Sequence, residues 1–119
     1  MTILAAGEPT SVAISVLLIQ EDAGWWSAQC LEYDIAAQAK SLTDLYYELE
    51  KTLIAHIAVH EAEGITPFEC LDPAPQEYWD MFHDAKLQVI GARQPFRAPA
   101  PLQHRIPVPQ FRVAERHLT

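Results

Sequence analysis

The first regular pattern along the chain spans Ser11 to Gln20, where β-branched and apolar residues occupy alternate positions. Val12, Ile14, Val16 and Leu18 share one face of such a strand, and Ala13, Ser15, Leu17 and Ile19 the other. Both faces are largely apolar. That predicts a central strand covered on both sides, or one whose second side is hidden by another subunit. Glu21-Asp22-Ala23-Gly24 then reads as a turn, with Gly24 able to take positive φ.

Two further strands are predicted, over Trp25–Leu31 and Tyr33–Ala39. Adjacent residues of a strand point to opposite faces, so one ring of the Trp25–Trp26 pair faces each side of the sheet. A single core covers one side. The other ring meets a second layer, a partner or water, and it marks a candidate interface. The bland alternative has the long helix over one ring and the C-terminal tail over the other.

Ser41, with Asp44 three residues on, begins a helix in the manner of a capping box, its hydroxyl placed to accept the Asp44 N–H. The helix is predicted from Leu42 to about Glu63. Leu42, Leu45, Leu49, Leu53, His56 or Ile57, and His60 fall on one stripe, with the acids mostly off it. Gly64 suits the left-handed C-terminal position and Pro67 a stop. After the proline-dominated connection from 67 to 75, a second helix is predicted over Pro75–Lys86, with Tyr78, Trp79, Met81 and Phe82 as a packing face. Five prolines then break residues 91–109 into extended pieces. Val108–Ala114 alternates well enough for one more strand, which its prolines would confine to a sheet edge or to a neighbouring chain.

Composition narrows the class. A chain of 119 residues, half of them apolar and a fifth charged, suffices for one core without staples. The pattern divides into a body, residues 1–90, and a Pro/Arg-rich extension, residues 91–119. The net charge of −8 follows the same division. Fifteen acids face Lys40, Lys51 and Lys86 in the body, whereas Arg93, Arg97, Arg105, Arg112 and Arg116 face Glu115 alone in the extension. An acidic body does not grip phosphate backbones, because that attraction needs cations to displace condensed counterions. It suits a basic partner, or the arginine-bearing tail of its own or a neighbouring chain. Residues 1–7 lack a positive charge before an apolar core, and Val12–Ile19 is too short to cross a bilayer, so a cytoplasmic location without membrane contact is expected.

Candidate chemistry is sparse. His56 and His60 have the i, i+4 spacing of metal ligands, but a zincin needs glutamate directly after the first histidine, and Ile57 stands there. Two histidines near the negative end of a helix explain the pair without a metal. Cys30 and Cys70 show no metal or redox spacing, and Cys30 sits within an apolar strand pattern, as a buried thiol would. Cys30, Ser27 and Ser41 lack a nucleophile elbow, and the four glycines stand too far apart to cradle a phosphate. Glu32 and Asp34 share a sheet face as a carboxylate pair, which reads more simply as solvated acid than as a divalent-metal site. No catalytic residue, metal site or cofactor is therefore expected. The alternatives are a metal-dependent enzyme or nuclease remnant, and a nucleic-acid binder acting through the arginine tail.

An apolar first strand closed by Glu21, Asp22 and Gly24, then Trp25 and Trp26, Cys30 to Asp34 at the strand junction, Gln38, the Ser41 cap and Leu42 with Leu45 together resemble the HicB-like antitoxin domain over about Val12 to Phe68. The resemblance implies a β-β-β-α-β arrangement, a truncated relative of the RNase H fold without its nuclease acids. It also implies self-association and neutralisation of a small basic RNA-cleaving toxin of the double-stranded-RNA-binding type. The chain departs from the family at Leu31-Glu32-Tyr33-Asp34-Ile35, where proline and glycine are usual, and at Ala39, where glycine is common. Residues 69–119 show no helix-turn-helix or ribbon-helix-helix pattern, so operator binding is not expected.

The expectation is an α+β, HicB-like protein-binding module with a three-stranded antiparallel sheet, a long helix, a short helix and a C-terminal edge strand. It acts as a homo-oligomer and binds a small basic toxin. Trp25, Trp26, Glu21, Asp22, Glu32 and Asp34 are the expected partner contacts.

Overall fold

A computed structural model describes residues 13–85, 87–88 and 106–114. The elements are β1 (Ala13–Gln20), β2 (Trp26–Cys30), β3 (Ala36–Ala39), α1 (Leu42–Ala62), α2 (Gln76–Asp84), β4 (Leu87–Gln88) and β5 (Val108–Val113). They form one mixed sheet in the order β3-β2-β1-β5-β4, an α+β architecture. β1, β2 and β3 make the expected antiparallel meander, with Leu18 opposite Ala28 and Ala28 opposite Ala37. β5 runs parallel to β1, with Val16 opposite Phe111.

The expectation of a purely antiparallel sheet with β5 at an edge is corrected by that pairing. β5 lies between β1 and β4, and it brings Phe111 into the same buried cluster as Ile14, Val16 and Leu18. The prolines permit this because β4 reaches only Arg112 and Val113. At Pro109 the side of β5 away from β1 carries no ladder among the described residues, so a missing N–H is tolerated there. Residues 108–113, assigned by pattern to an extension beyond the body, are thus built into the body's sheet.

Both faces of β1 are buried by this chain alone. On one face, Ile14, Val16 and Leu18 pack with Ala28 and Cys30 against Leu45, Leu49, Leu53 and Ile57 of α1. On the other, Leu17 and Ile19 pack with Leu31 against Ala74 and Phe82, flanked by Tyr78 and Trp79. The aromatic face of α2 therefore packs on the sheet rather than on α1. The connection between the helices crosses from one face to the other around the β2–β3 junction. It is pinned there by the Asp34 N–H donating to Asp72 O at 2.9 Å and the Ala74 N–H donating to Leu31 O at 2.8 Å.

α1 begins and ends where local chemistry places it. The Ser41 hydroxyl accepts the Asp44 N–H at 3.1 Å. At the other end the Gly64 N–H donates to Glu61 O at 3.0 Å and the Ile65 N–H to His60 O at 2.8 Å, a Schellman pair made possible by φ +74 at Gly64. Ile57, rather than His56, completes the buried stripe, because steps of four from Leu45 lead to it. Glu50, expected off that stripe, is buried as well.

Candidate binding surface

The turn Glu21–Gly24 sets the position of both tryptophans. Ala23 and Gly24 both take left-handed φ, +65 and +84, and the Glu21 N–H donates to Trp25 O at 2.6 Å, closing the hairpin. Trp25 is held outside β2, and β2 begins at Trp26. Trp26 packs, half-buried, against the cluster under α1. Trp25 is 38% exposed, which is unusual for so large an apolar ring. The Lys40 ammonium lies over it, 5.5 Å from the ring centre. Of the two rings, Trp25 is the surplus one.

Trp25 rims an open groove of about 580 Å³ between the end of β3 and the first turns of α1, lined also by Gln38, Lys40, Asp44, Tyr47 and Glu48. A second open groove, of about 490 Å³, lies on the opposite face of the sheet. Its floor is Ser27, Gln29, Ala36 and Gln38, and its far wall is Tyr78 of α2. It exists because α2 covers β1 but stops short of β2 and β3. Gln38 lines both grooves, so they flank the edge strand β3 from its two sides.

The four expected contact acids separate into different roles. Asp22 is exposed at the turn. Glu21, half-buried, lines the second groove and its Oε2 accepts the Ser27 hydroxyl at 2.9 Å. Asp34 is exposed beside β3, and its Oδ1 accepts the Gln29 amide at 2.8 Å. Glu32 turns inward. Its Oε1 accepts the Ser15 N–H at 2.7 Å and its Oε2 the Ser15 hydroxyl at 2.9 Å. Since the Leu31 N–H donates to Ser15 O at 3.0 Å, the Glu32 carboxylate supplies the next acceptor along β1 after β2 has ended. Glu32 thus extends the ladder, and that occupation binds it to the fold rather than to a partner.

Other candidate residues are also committed internally. The His60 Nδ1 accepts the Phe68 N–H at 3.0 Å, holding Phe68 at φ +70 with its ring stacked 5.0 Å from Tyr33. The His56 Nδ1 lies 2.9 Å from Thr52 O, to which it donates. Each ring therefore has one nitrogen engaged, and among the described residues no group of three or more His, Cys, Asp or Glu side chains could hold a metal ion. Burial, joined by the Glu32 charge, pushes the Cys30 thiol up to about 12, so it stays protonated and a poor nucleophile at neutral pH. Arg112 donates from Nη1 to Phe82 O at 3.0 Å, with its guanidinium 4.5 Å from the Phe82 ring centre. That tail arginine clamps β5 to α2. Arg93, Arg97, Arg105 and Arg116 lie outside the described residues.

Lys40, Gln38, Tyr47 and Tyr78 are surface residues that the sequence pattern did not single out as contacts. The period-2 alternation that places Asp34 on a face also places Gln38 and Lys40 there, and that signal was available. Tyr47 and Tyr78 carry no comparable signal, since the grooves arise only when helices meet the sheet.

No helix among the described residues is long and apolar enough to cross a membrane. Comparison with protein-family models, with curated proteins and with solved structures finds no match to this chain.

Proposed function

We propose that the chain is a non-enzymatic, HicB-like protein-binding module that self-associates in the cytoplasm and neutralises a small basic RNA-cleaving toxin. The observation that carries this reading is Trp25, an exposed tryptophan rimming an open groove on an acidic body. Tryptophan is a preferred anchor in protein interfaces, and an acidic surface draws a basic partner at long range. The run β1-β2-β3-α1 follows the order that the family resemblance implies, with α2 and β4 standing between α1 and β5. In this reading Trp25 is the anchor, Glu21, Asp22 and Asp34 supply the field, and Trp26 and Glu32 hold the surface in shape.

The test is co-expression with the product of a neighbouring reading frame that encodes a small basic protein with a catalytic histidine. The expected outcome is relief of its toxicity and a complex stable to gel filtration, with Trp25→Ala weakening the complex about thirtyfold, as loss of a roughly 2 kcal/mol anchor requires. A toxin that stays active with the chain present in excess, with no complex formed, overturns the reading.

A further inference from the structure

At the described edge of the sheet, β3 is short, four residues, but otherwise open to pairing. The strand reads Ala36-Ala37-Gln38-Ala39, without proline or inward-pointing charge, and Ala36 and Gln38 are exposed. The Cys30 N–H donates to Ile35 O at 2.8 Å, so the backbone of Ile35 faces β2. Alternation then turns the backbone groups of Ala37 and Ala39 toward β2 and those of Ala36 and Gln38 outward. Two residues therefore present four hydrogen-bonding groups to the outside.

We infer that β3 pairs with β3 of a second copy, antiparallel across a twofold axis at Ala37, joining two sheets into one. An antiparallel partner must place outward-facing residues opposite outward-facing residues, which limits the registers to those centred on whole residues. Centred on Ala37, Ala36 stands opposite Gln38 of the second copy and Gln38 opposite its Ala36, so four backbone hydrogen bonds form. The same register sets Lys40 opposite Asp34 of the second copy, twice. Centring on Gln38 sets Lys40 opposite Ala36, and centring on Ala36 sets it opposite Glu32, whose carboxylate is already held by the Ser15 N–H and hydroxyl. The charge complementarity thus selects both the occupant and the register, in the self-complementary manner of a twofold interface.

The geometry supports the charges in their places. Asp34 is oriented by Gln29, and the Lys40 ammonium lies over the Trp25 ring. The outward Asp34 N–H is already taken by Asp72 O, so the new ladder stops at Ala36. Drawing the ammonium from the Trp25 ring gives up an attraction comparable to that of an exposed ion pair. The ion pairs therefore choose the register, while the backbone ladder supplies the association. This names the surface for the self-association contained in the reading above.

Light scattering and sedimentation of the full chain across a concentration series test it. The expected result is a concentration-dependent dimer. Lys40→Asp and Asp34→Lys singly weaken it about tenfold, through two lost pairs and two like-charge contacts. The double variant, with the charges exchanged, restores it. Gln38→Pro, which removes an outward N–H at an edge position that tolerates proline, abolishes it. Far-UV circular dichroism and thermal melting show that each variant is folded. A monomer at all concentrations, a dimer indifferent to the single changes, or a double variant as weak as the singles overturns the inference. So does a monomer whose β3 edge instead takes up a strand of a basic partner, a result that would leave the toxin-neutralising reading intact. A dimer of the expected behaviour that leaves the toxin active overturns only that earlier reading.

Discussion

Cys30 and Cys70 have the same side chain and opposite chemistry. Cys70 is exposed and Cys30 is buried under α1. Taking the thiolate of Cys30 out of water, beside Glu32, lifts its folded-state value to about 12, whereas an unfolded chain loses that proton near the ordinary thiol value of 9.0. The unfolded state thus binds fewer protons than the folded state between those two values, so stability conferred by the neutral thiol is complete below pH 9.0 and is lost as pH rises toward about 12. The expected outcome is that one thiol per native chain reacts with a disulfide reagent and a second reacts only after unfolding. Urea midpoints should fall less steeply between pH 8 and pH 10 in Cys30→Ala than in the unaltered protein, by roughly 1 kcal/mol or more at the alkaline end. Equal slopes in the two proteins would show that the thiol is not shielded. The burial of Cys30 was legible from its place in an alternating strand. The inward turn of Glu32 was not, because its acceptor role depends on Ser15, a residue 17 positions away on another strand.

At the scale of elements, α1 is the most completely prescribed part of the molecule. Its cap, its buried stripe and its glycine stop all lie within contiguous sequence, and each acts over one or two turns. Ser41→Ala is expected to lower stability by about 1 kcal/mol through loss of the bond to the Asp44 N–H. Leu49→Ala, at the fully buried middle of the stripe, should cost about 2–5 kcal/mol because it removes packing and leaves a cavity. Urea unfolding of the two variants checks both values, and a cost at Ser41 as large as that at Leu49 would contradict the local role of the cap. α2 was legible as a helix with an aromatic face, but its docking side was not. Nothing in Gln76–Asp84 distinguishes a face that packs on a sheet from one that packs on a helix. The choice follows from the crossing at Asp72–Ala74, where two backbone hydrogen bonds carry the chain over to the second face of β1.

The whole molecule is closed by its far end. β5 pairs with β1 along its full six residues, and Ile106 and Phe111 fill the cluster under α1, with Tyr46 5.0 Å from the Phe111 ring. Removing residues 91–119 therefore strips the inner strand β1 of one neighbour and exposes Val16 and Ile14 beside it. The expected result is a chain with helical signal but no cooperative thermal transition, together with binding of a dye that reports exposed apolar surface. A truncated chain that melts as sharply as the full one would show that residues 1–90 fold alone.

What the sequence by itself determined is local: three strands in a row, a capped helix, a second helix with an aromatic face, and a tryptophan more than one core can bury. Those signals are written in neighbouring residues, through alternation, helical period and capping chemistry, and they need no knowledge of what lies opposite. Only the tertiary structure decided the parallel union of β1 with β5, the layer on each face, and which tryptophan stays outside. Each of these depends on residues tens of positions apart meeting in space, where burial and hydrogen-bond satisfaction are shared between partners that no local pattern names. Trp25 remains at the surface because the Glu21–Gly24 turn holds it off β2, and Trp26 takes the place beneath α1.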